Sequence, residues 1–191
     1  MGQVMKSPID HPPSNYERLR QIIAERCFTK GQPFQLSSGR MSNFYFNLKP
    51  AMLDPEGLDL LADIILERIA GIDARYIGGL AMGAVPLAIA VLLKSNATAR
   101  PLQGFWVRKE AKGHGTKNLT DGYIQDGARV IIVEDVTTSG DSVMQAINEV
   151  KRRGCDIAAV ITIVDRLEGA EERLAQNGVK LTALFTAKDF T

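Results

Sequence analysis

A chain of 191 residues with 45% apolar and 24% charged side chains can build one sizeable core and does not require two domains. Its 23 basic and 22 acidic residues leave a net charge of +1, which excludes a whole-molecule field that recruits nucleic acid or an anionic membrane. Two histidines, His11 and His114, exclude a multi-histidine metal centre. Cys27 and Cys155 lie far apart without metal-ligand spacing and read as buried or reduced thiols.

Residues 1–14, with three prolines and no apolar period, read as a flexible arm. They lack the apolar stretch of a signal peptide. The longest apolar run, 85–93, is half a bilayer span, so the expected location is the cytoplasm. Ser14 and Glu17 have capping-box spacing and open an amphipathic helix through Leu19, Ile22 and Ile23. Residues 34–36 and 43–48 predict two short strands around a turn at 37–39. Asp54, then Pro55, starts a helix whose buried face is Leu58, Leu61, Ile64, Ile65 and Ile69, with Gly71 as its stop.

Downstream the pattern alternates. A strand at 76–77 leads through a glycine-rich loop to a helix near 85–93. A strand at 105–107 precedes a polar loop, and one at 130–133 precedes a helix at 142–153. Residues 158–164 form another apolar strand, and 180–184 a weaker one. Uninterrupted β-branched runs, each followed by a helix, indicate parallel strands covered on both faces. The expected fold is one doubly wound, mainly parallel α/β domain with a small N-terminal hood at about 15–50.

Ligands of open α/β sheets bind beyond the carboxyl ends of the strands. There the strand at 130–133 delivers two adjacent carboxylates, Glu134 and Asp135, followed by Val136, Thr137, Thr138, Ser139, Gly140, Asp141 and Ser142. Carboxylates accept hydrogen bonds from vicinal ribose hydroxyls, and free N–H groups at a helix start bind phosphate. A sugar bearing a diol and a phosphate fits both. An acidic cap before a solvated turn is the plainer reading, and four apolar residues, two acids and three hydroxyls in register argue against it. Neither a GxxxxGK[ST] nor a GxGxxG motif occurs.

The run from Gly78 to Gly83 also follows a strand, and its glycines suit either a tight turn or backbone contacts to a second anion. In the stretch 108–117, four basic residues (Arg108, Lys109, Lys112 and Lys117) against Glu110 leave +3, with Gly113 and Gly115 between them. This composition suits a lid over a polyanion, with His114 supplying a proton or hydrogen bond to a leaving group. An exposed basic loop without a partner is the alternative.

Residues 130–142 resemble the phosphoribosyl diphosphate signature of type I phosphoribosyltransferases. Within that family, RKEAKGHGT at 108–116, FQLSSGRMSNFYFN at 34–47 and Ile163 to Glu168 resemble segments of orotate phosphoribosyltransferases. The resemblance implies transfer of the phosphoribosyl group to orotate in pyrimidine synthesis. It implies that 78–83 binds diphosphate, and that Arg108, Lys109, Lys112 and His114 are catalytic on that diphosphate. Glu134 and Asp135 go to the ribose, residues 136–142 to the phosphate, and Thr138 and Arg166 to orotate. Tyr45 and Phe46 either stack on the pyrimidine or belong to the core. Mg²⁺ is the expected cofactor, held through substrate oxygens with no protein metal cluster. Partners are the two small-molecule substrates and a second copy of the chain, a homodimer whose loop 108–117 reaches the neighbouring site. Nucleic acid and membrane are not expected. Ser37 and Gly83 stand where some relatives carry lysine, and Glu134 where Asp is common. The rivals are a purine phosphoribosyltransferase, a non-enzymatic regulator and a plain flavodoxin-like binding protein.

Overall fold

The computed structural model describes residues 14–35, 41–110 and 119–191. Helix α1 (Asn15–Arg26) opens as the capping residue predicts: the Ser14 side chain accepts from the Glu17 N–H. Its buried residues are Leu19, Ile22 and Ile23. Strands β1 (Phe28–Gln35) and β2 (Met41–Phe46) pair antiparallel as a separate two-stranded sheet. The first strand begins six residues before the expected 34, because Phe28 pairs with Phe46 and supplies an apolar contact for the hairpin base.

A short helix α2 (Lys49–Met52) precedes α3 (Pro55–Ile69), where the Asp54 side chain accepts from the Gly57 N–H and Pro55 fills the first turn. The main sheet then assembles from β3 (Tyr76–Leu80), β4 (Gln103–Val107), β5 (Thr120–Gly122), β6 (Arg129–Thr137), β7 (Asp156–Asp165) and β8 (Leu181–Thr186). Its order is β5-β4-β3-β6-β7-β8, all parallel except β5, which runs antiparallel at the edge beside β4. Helices α4 (Ala84–Ser95), α5 (Asp141–Arg152) and α6 (Ala170–Gln176) provide the crossovers.

Strand alternation splits the core into two layers. Ile131 and Val133 of β6 pack with α1, α3 and α4, while Val130 and Ile132 pack with α5 and α6. Each such aliphatic side chain contributes roughly 1.5–3 kcal/mol on burial. Both faces are therefore covered, which explains the unbroken apolar runs in the sequence. The hood closes on this body through an aromatic group in which Phe46 lies 5.0 Å from Phe28 and 5.3 Å from Phe190. Both cysteines are buried free thiols, and burial pushes the Cys27 thiol up. Among the described residues no helix is long and apolar enough to cross a membrane.

One sequence expectation is corrected here. Gly78 and Gly79 belong to β3 and not to a loop. A Cβ on Gly78 would stand 2.1 Å from the Phe105 carbonyl oxygen, and one on Gly79 would stand 2.2 Å from that of Val133. These glycines let β3 fit between its neighbours, and the connection to α4 is only residues 81–83.

Candidate active site

Chain order reverses between β3 and β6: β3 leads outward to β4, and β6 leads outward to β7 and β8. That switch point opens a crevice at the carboxyl ends of the two strands. Residues 81–83 come from one side and the end of β6 from the other. They meet closely, since a Cβ on Gly83 would lie 2.6 Å from Oδ1 of Asp135. Nothing in the sequence signals this contact. It places the candidate diphosphate connection against the acidic pair.

Beyond Asp135, Val136 and residues 137–143 line a pocket of about 140 Å³. Its floor is the start of α5, capped by Gly140 at φ 79° with no side-chain cap hydrogen bond among the described residues. The left-handed backbone there requires glycine. The uncapped amides and the positive end of the helix dipole suit an anion. Ser139 and Asp141 shape the rim: the Ser139 hydroxyl donates to Asp141, which also pairs with Arg173 of α6. Those two contacts, the hydroxyl first, hold the Asp141 carboxyl below the usual carboxylate range. The Asp141 side chain thus faces Arg173, and its backbone is what it offers to the pocket. Arg173 was not singled out from the sequence, because helix α6 was not predicted.

Glu134 and Asp135 differ in their surroundings. Asp135 is half-buried, and its Oδ1 accepts from the Val136 N–H at 2.9 Å. Glu134 is only 6% exposed, and its Oε2 has no hydrogen-bond partner among the described residues. Burial first, then the neighbouring Asp135 charge, raises its proton affinity well above the ordinary carboxylate range. A carboxyl whose folded value is raised stabilises the fold fully below its unfolded value, near 4.5, and that contribution is lost as pH rises through the folded value. Glu134→Gln should therefore match the unsubstituted protein in thermal midpoint near pH ~4 and exceed it increasingly towards pH ~8. Parallel midpoints across that range would mean that the buried carboxyl ionises without cost.

Arg166 follows β7 and is buried, with its side chain 3% exposed. Its backbone N–H donates to the Thr137 carbonyl at 3.0 Å, and the neighbouring Asp165 accepts from the Thr137 hydroxyl at 3.0 Å and the Leu167 N–H at 3.1 Å. The Thr137 side chain is thus spent on joining β6 to β7. The Arg166 guanidinium reaches the hood: Nη2 donates to Ser42 Oγ at 2.9 Å and pairs with Glu168 at 2.8 Å. It also lies 4.7 Å over the ring of Phe44. Arg166, Ser42, Phe44, Glu168 and Lys30 line a cleft of about 610 Å³ between hood and sheet.

The aromatic pair resolves unevenly. Phe46 is 4% exposed in the aromatic core, so a stacking role for its ring is withdrawn. Tyr45 is exposed and projects from the opposite face of β2 to Phe44, because successive strand residues alternate. Phe44 is the cleft aromatic. Period-two alternation from the buried Phe46 was the signal that could have found it.

The basic loop is described only at its base. Lys112 and His114 lie outside the described residues, as does Ser37. Arg108 continues the edge pairing, its N–H donating to the Leu119 carbonyl at 2.8 Å. Its Nε lies 3.0 Å from Asp121 Oδ2 on β5, a partner the sequence did not predict. Any anion drawn to Arg108 has to compete with that ion pair. Lys109 is anchored through its carbonyl, which accepts from Gln145 of α5 at 3.0 Å. Its charge is near enough to Glu134 to oppose slightly the upward shift there.

Comparison with known proteins now bears on this geometry. Residues 53–186 match the phosphoribosyl transferase domain family. The chain is 46% identical over 177 residues to an orotate phosphoribosyltransferase of Bradyrhizobium sp. strain BTAi1, covering 91% of this chain and 95% of that one. A crystal structure of Mycobacterium tuberculosis orotate phosphoribosyltransferase with Fe(III) dicitrate is similar at a TM-score of 0.79 and 32% identity, over 92% of this chain and 98% of that one. The same enzyme in complex with 5-phospho-α-D-ribosyl 1-diphosphate gives 0.77 and 30%, over 92% and 98%. An uncapped helix start beside two carboxylates, an arginine cleft one strand away and similarity along nine-tenths of the chain agree, and the chain belongs to the orotate phosphoribosyltransferases of the phosphoribosyl transferase domain family.

Proposed function

We propose that this protein is a Mg²⁺-dependent enzyme that transfers the phosphoribosyl group of phosphoribosyl diphosphate to orotate, giving orotidine 5′-monophosphate and diphosphate. One observation carries the reading. The Thr137–Asp165 and Arg166–Thr137 hydrogen bonds fix the anion pocket and the arginine cleft as neighbours on adjacent strand ends. A phosphorylated sugar in one and a carboxylated base in the other lie side by side.

The roles follow from chemistry. The amides at the start of α5, with the Thr138 and Ser142 hydroxyls at hand, bind the 5-phosphate. Asp135 and Glu134 accept from the ribose hydroxyls, and those donors favour the ionised form of Glu134 that burial opposes. The Arg166 fork takes the orotate carboxylate, with Phe44 beneath. As the bond from C1 to diphosphate lengthens, positive charge grows on the ribose and negative charge on the leaving group. Lys109, Lys112, His114 and Arg108 stabilise the latter, and closure of 108–117 excludes water. The half-buried Asp135 carboxylate, a hard oxygen donor beside the 81–83 connection, suits a site for Mg²⁺. When bound, Mg²⁺ supplies charge neutralisation on the diphosphate. On this reading the whole chain works as one domain, with residues 15–50 as its hood, in the cytoplasm.

A purine phosphoribosyltransferase is the rival, and a panel of bases separates the two. With phosphoribosyl diphosphate and Mg²⁺, orotate should be consumed and adenine, hypoxanthine and guanine should not. Turnover of a purine in preference to orotate would overturn the assignment.

A two-fold homodimer completes the proposal, with loop 108–117 serving the neighbouring site. Its support is exposed apolar side chains: Leu93 on α4 is 74% exposed with Ile89 one turn before it, and Leu53, which ends α2, is 73% exposed. Lys112→Ala and Asp135→Asn would then disable different halves of a composite site. Unfolded together and refolded, the two impaired variants should recover about a quarter of wild-type activity, above either variant treated alone, since random pairing makes half the dimers mixed and each has one intact site. Proven mixed dimers without activity would mean that the loop closes over its own subunit.

A further inference from the structure

Resting on the orotate reading of the cleft, we infer that Glu168 is a displaceable counter-ion: it pairs with the Arg166 guanidinium and is exchanged for the carboxylate of the incoming pyrimidine.

The geometry of the pair is incomplete. A carboxylate that fully matches a guanidinium engages two parallel N–H groups. The shortest contact of Glu168 is with Nη2, at 2.8 Å, and that nitrogen also donates to Ser42 Oγ at 2.9 Å. Nε, on the same edge of the fork, is buried with no hydrogen-bond partner among the described residues. A donor left unmade in a buried site favours any ligand that satisfies it. A planar carboxylate lying along the Nε–Nη2 edge does so, and it needs the space that Glu168 now holds.

The two partners differ in freedom. Arg166 is 3% exposed and fixed on three sides, by Ser42, by the Phe44 ring at 4.7 Å and by its backbone bond to Thr137. Glu168 is 21% exposed and lies on the turn that follows Leu167 at φ 60°. Rotation of its side chain returns its charge to water, whereas the guanidinium has nowhere to go. A buried cation needs a partner at all times, and exchange supplies one in both states. An uncharged base offers no replacement charge, so it cannot displace Glu168. The residue thereby sets the preference for a carboxylated pyrimidine. It acts through Arg166 and is a positioning residue.

The test is Glu168→Gln, which keeps the shape and removes the competing charge. The KM for orotate should fall by about two- to fivefold, the worth of a partly exposed ion pair. The KM for phosphoribosyl diphosphate is the internal control and should stay within error. Loss of a merely structural contact would weaken orotate, so a raised or unchanged orotate KM overturns the exchange. A second measurement needs no variant at Glu168. In ¹⁵N-arginine-labelled wild-type protein, the Arg166 Nε–H signal, assigned by its absence in Arg166→Lys, should shift and exchange more slowly with water when orotate is added. No change at saturating orotate would equally contradict the proposal. If wild-type protein consumes orotate and these outcomes fail, only the exchange is wrong. If it does not consume orotate, the reading of the cleft is wrong.

Discussion

Asp135→Asn should lower kcat/KM by about ten- to a hundredfold while leaving the thermal midpoint nearly unchanged. The carboxylate stands at the end of β6, half-buried beside residues 81–83, where it supports little apolar packing. Asparagine has almost the same volume, so it avoids a clash with Gly83, whose missing Cβ leaves the carboxylate its room. What is lost is a charge-assisted hydrogen bond to a ribose hydroxyl, worth roughly 1.5–3 kcal/mol, together with negative charge facing the developing cation at C1. Steady-state kinetics beside a melting curve read the two effects separately. Near-normal kinetics would remove Asp135 from the ribose site, and a large fall in midpoint would make it a structural residue.

Arg166→Ala should raise the KM for orotate by about a hundredfold and that for phosphoribosyl diphosphate far less. Losing both hydrogen bonds of a charged fork accounts for roughly 1.5–3 kcal/mol. The substitution also strands Glu168 and frees Ser42 from its contact with the sheet, so some loss of stability accompanies it. Arg166→Lys distinguishes the causes. Lysine keeps a cation for Glu168 but cannot present two parallel donors, so stability should largely return while orotate affinity does not. If lysine restores both, the arginine is a structural ion-pair partner and the base lies elsewhere.

The parts of the fold that were legible in the sequence were those set by local chemistry. Asp54 and Pro55 announced α3, Ser14 announced α1, and the apolar run at 130–133 announced a strand buried on both faces. Among the strands and α-helices, three escaped for physical reasons. Strand β5 is three residues at a sheet edge, stabilised by β4 alone, and carries no alternation of its own. Helices α2 and α6 span four and seven residues, too short for an apolar period. In the site, the acids, hydroxyls and glycine of 134–142 were visible because they are consecutive. The contacts of Gly83 with Asp135, Arg108 with Asp121 and Arg166 with Ser42 join residues distant in sequence, and only the folded chain brings them together. Gly78 and Gly79 show the converse error: glycine suggests a loop, yet here it serves strands that approach closely.

Transfer to orotate is read out by a mass balance. Purified protein is mixed with orotate, phosphoribosyl diphosphate and Mg²⁺, and orotate loss, orotidine 5′-monophosphate and diphosphate are quantified in the same samples. One mole of each product should form per mole of orotate lost. The Asp135→Asn sample should lag by about ten- to a hundredfold, as its lost charge-assisted bond requires. Orotate left intact, or diphosphate released without nucleotide, would rule out transfer to orotate.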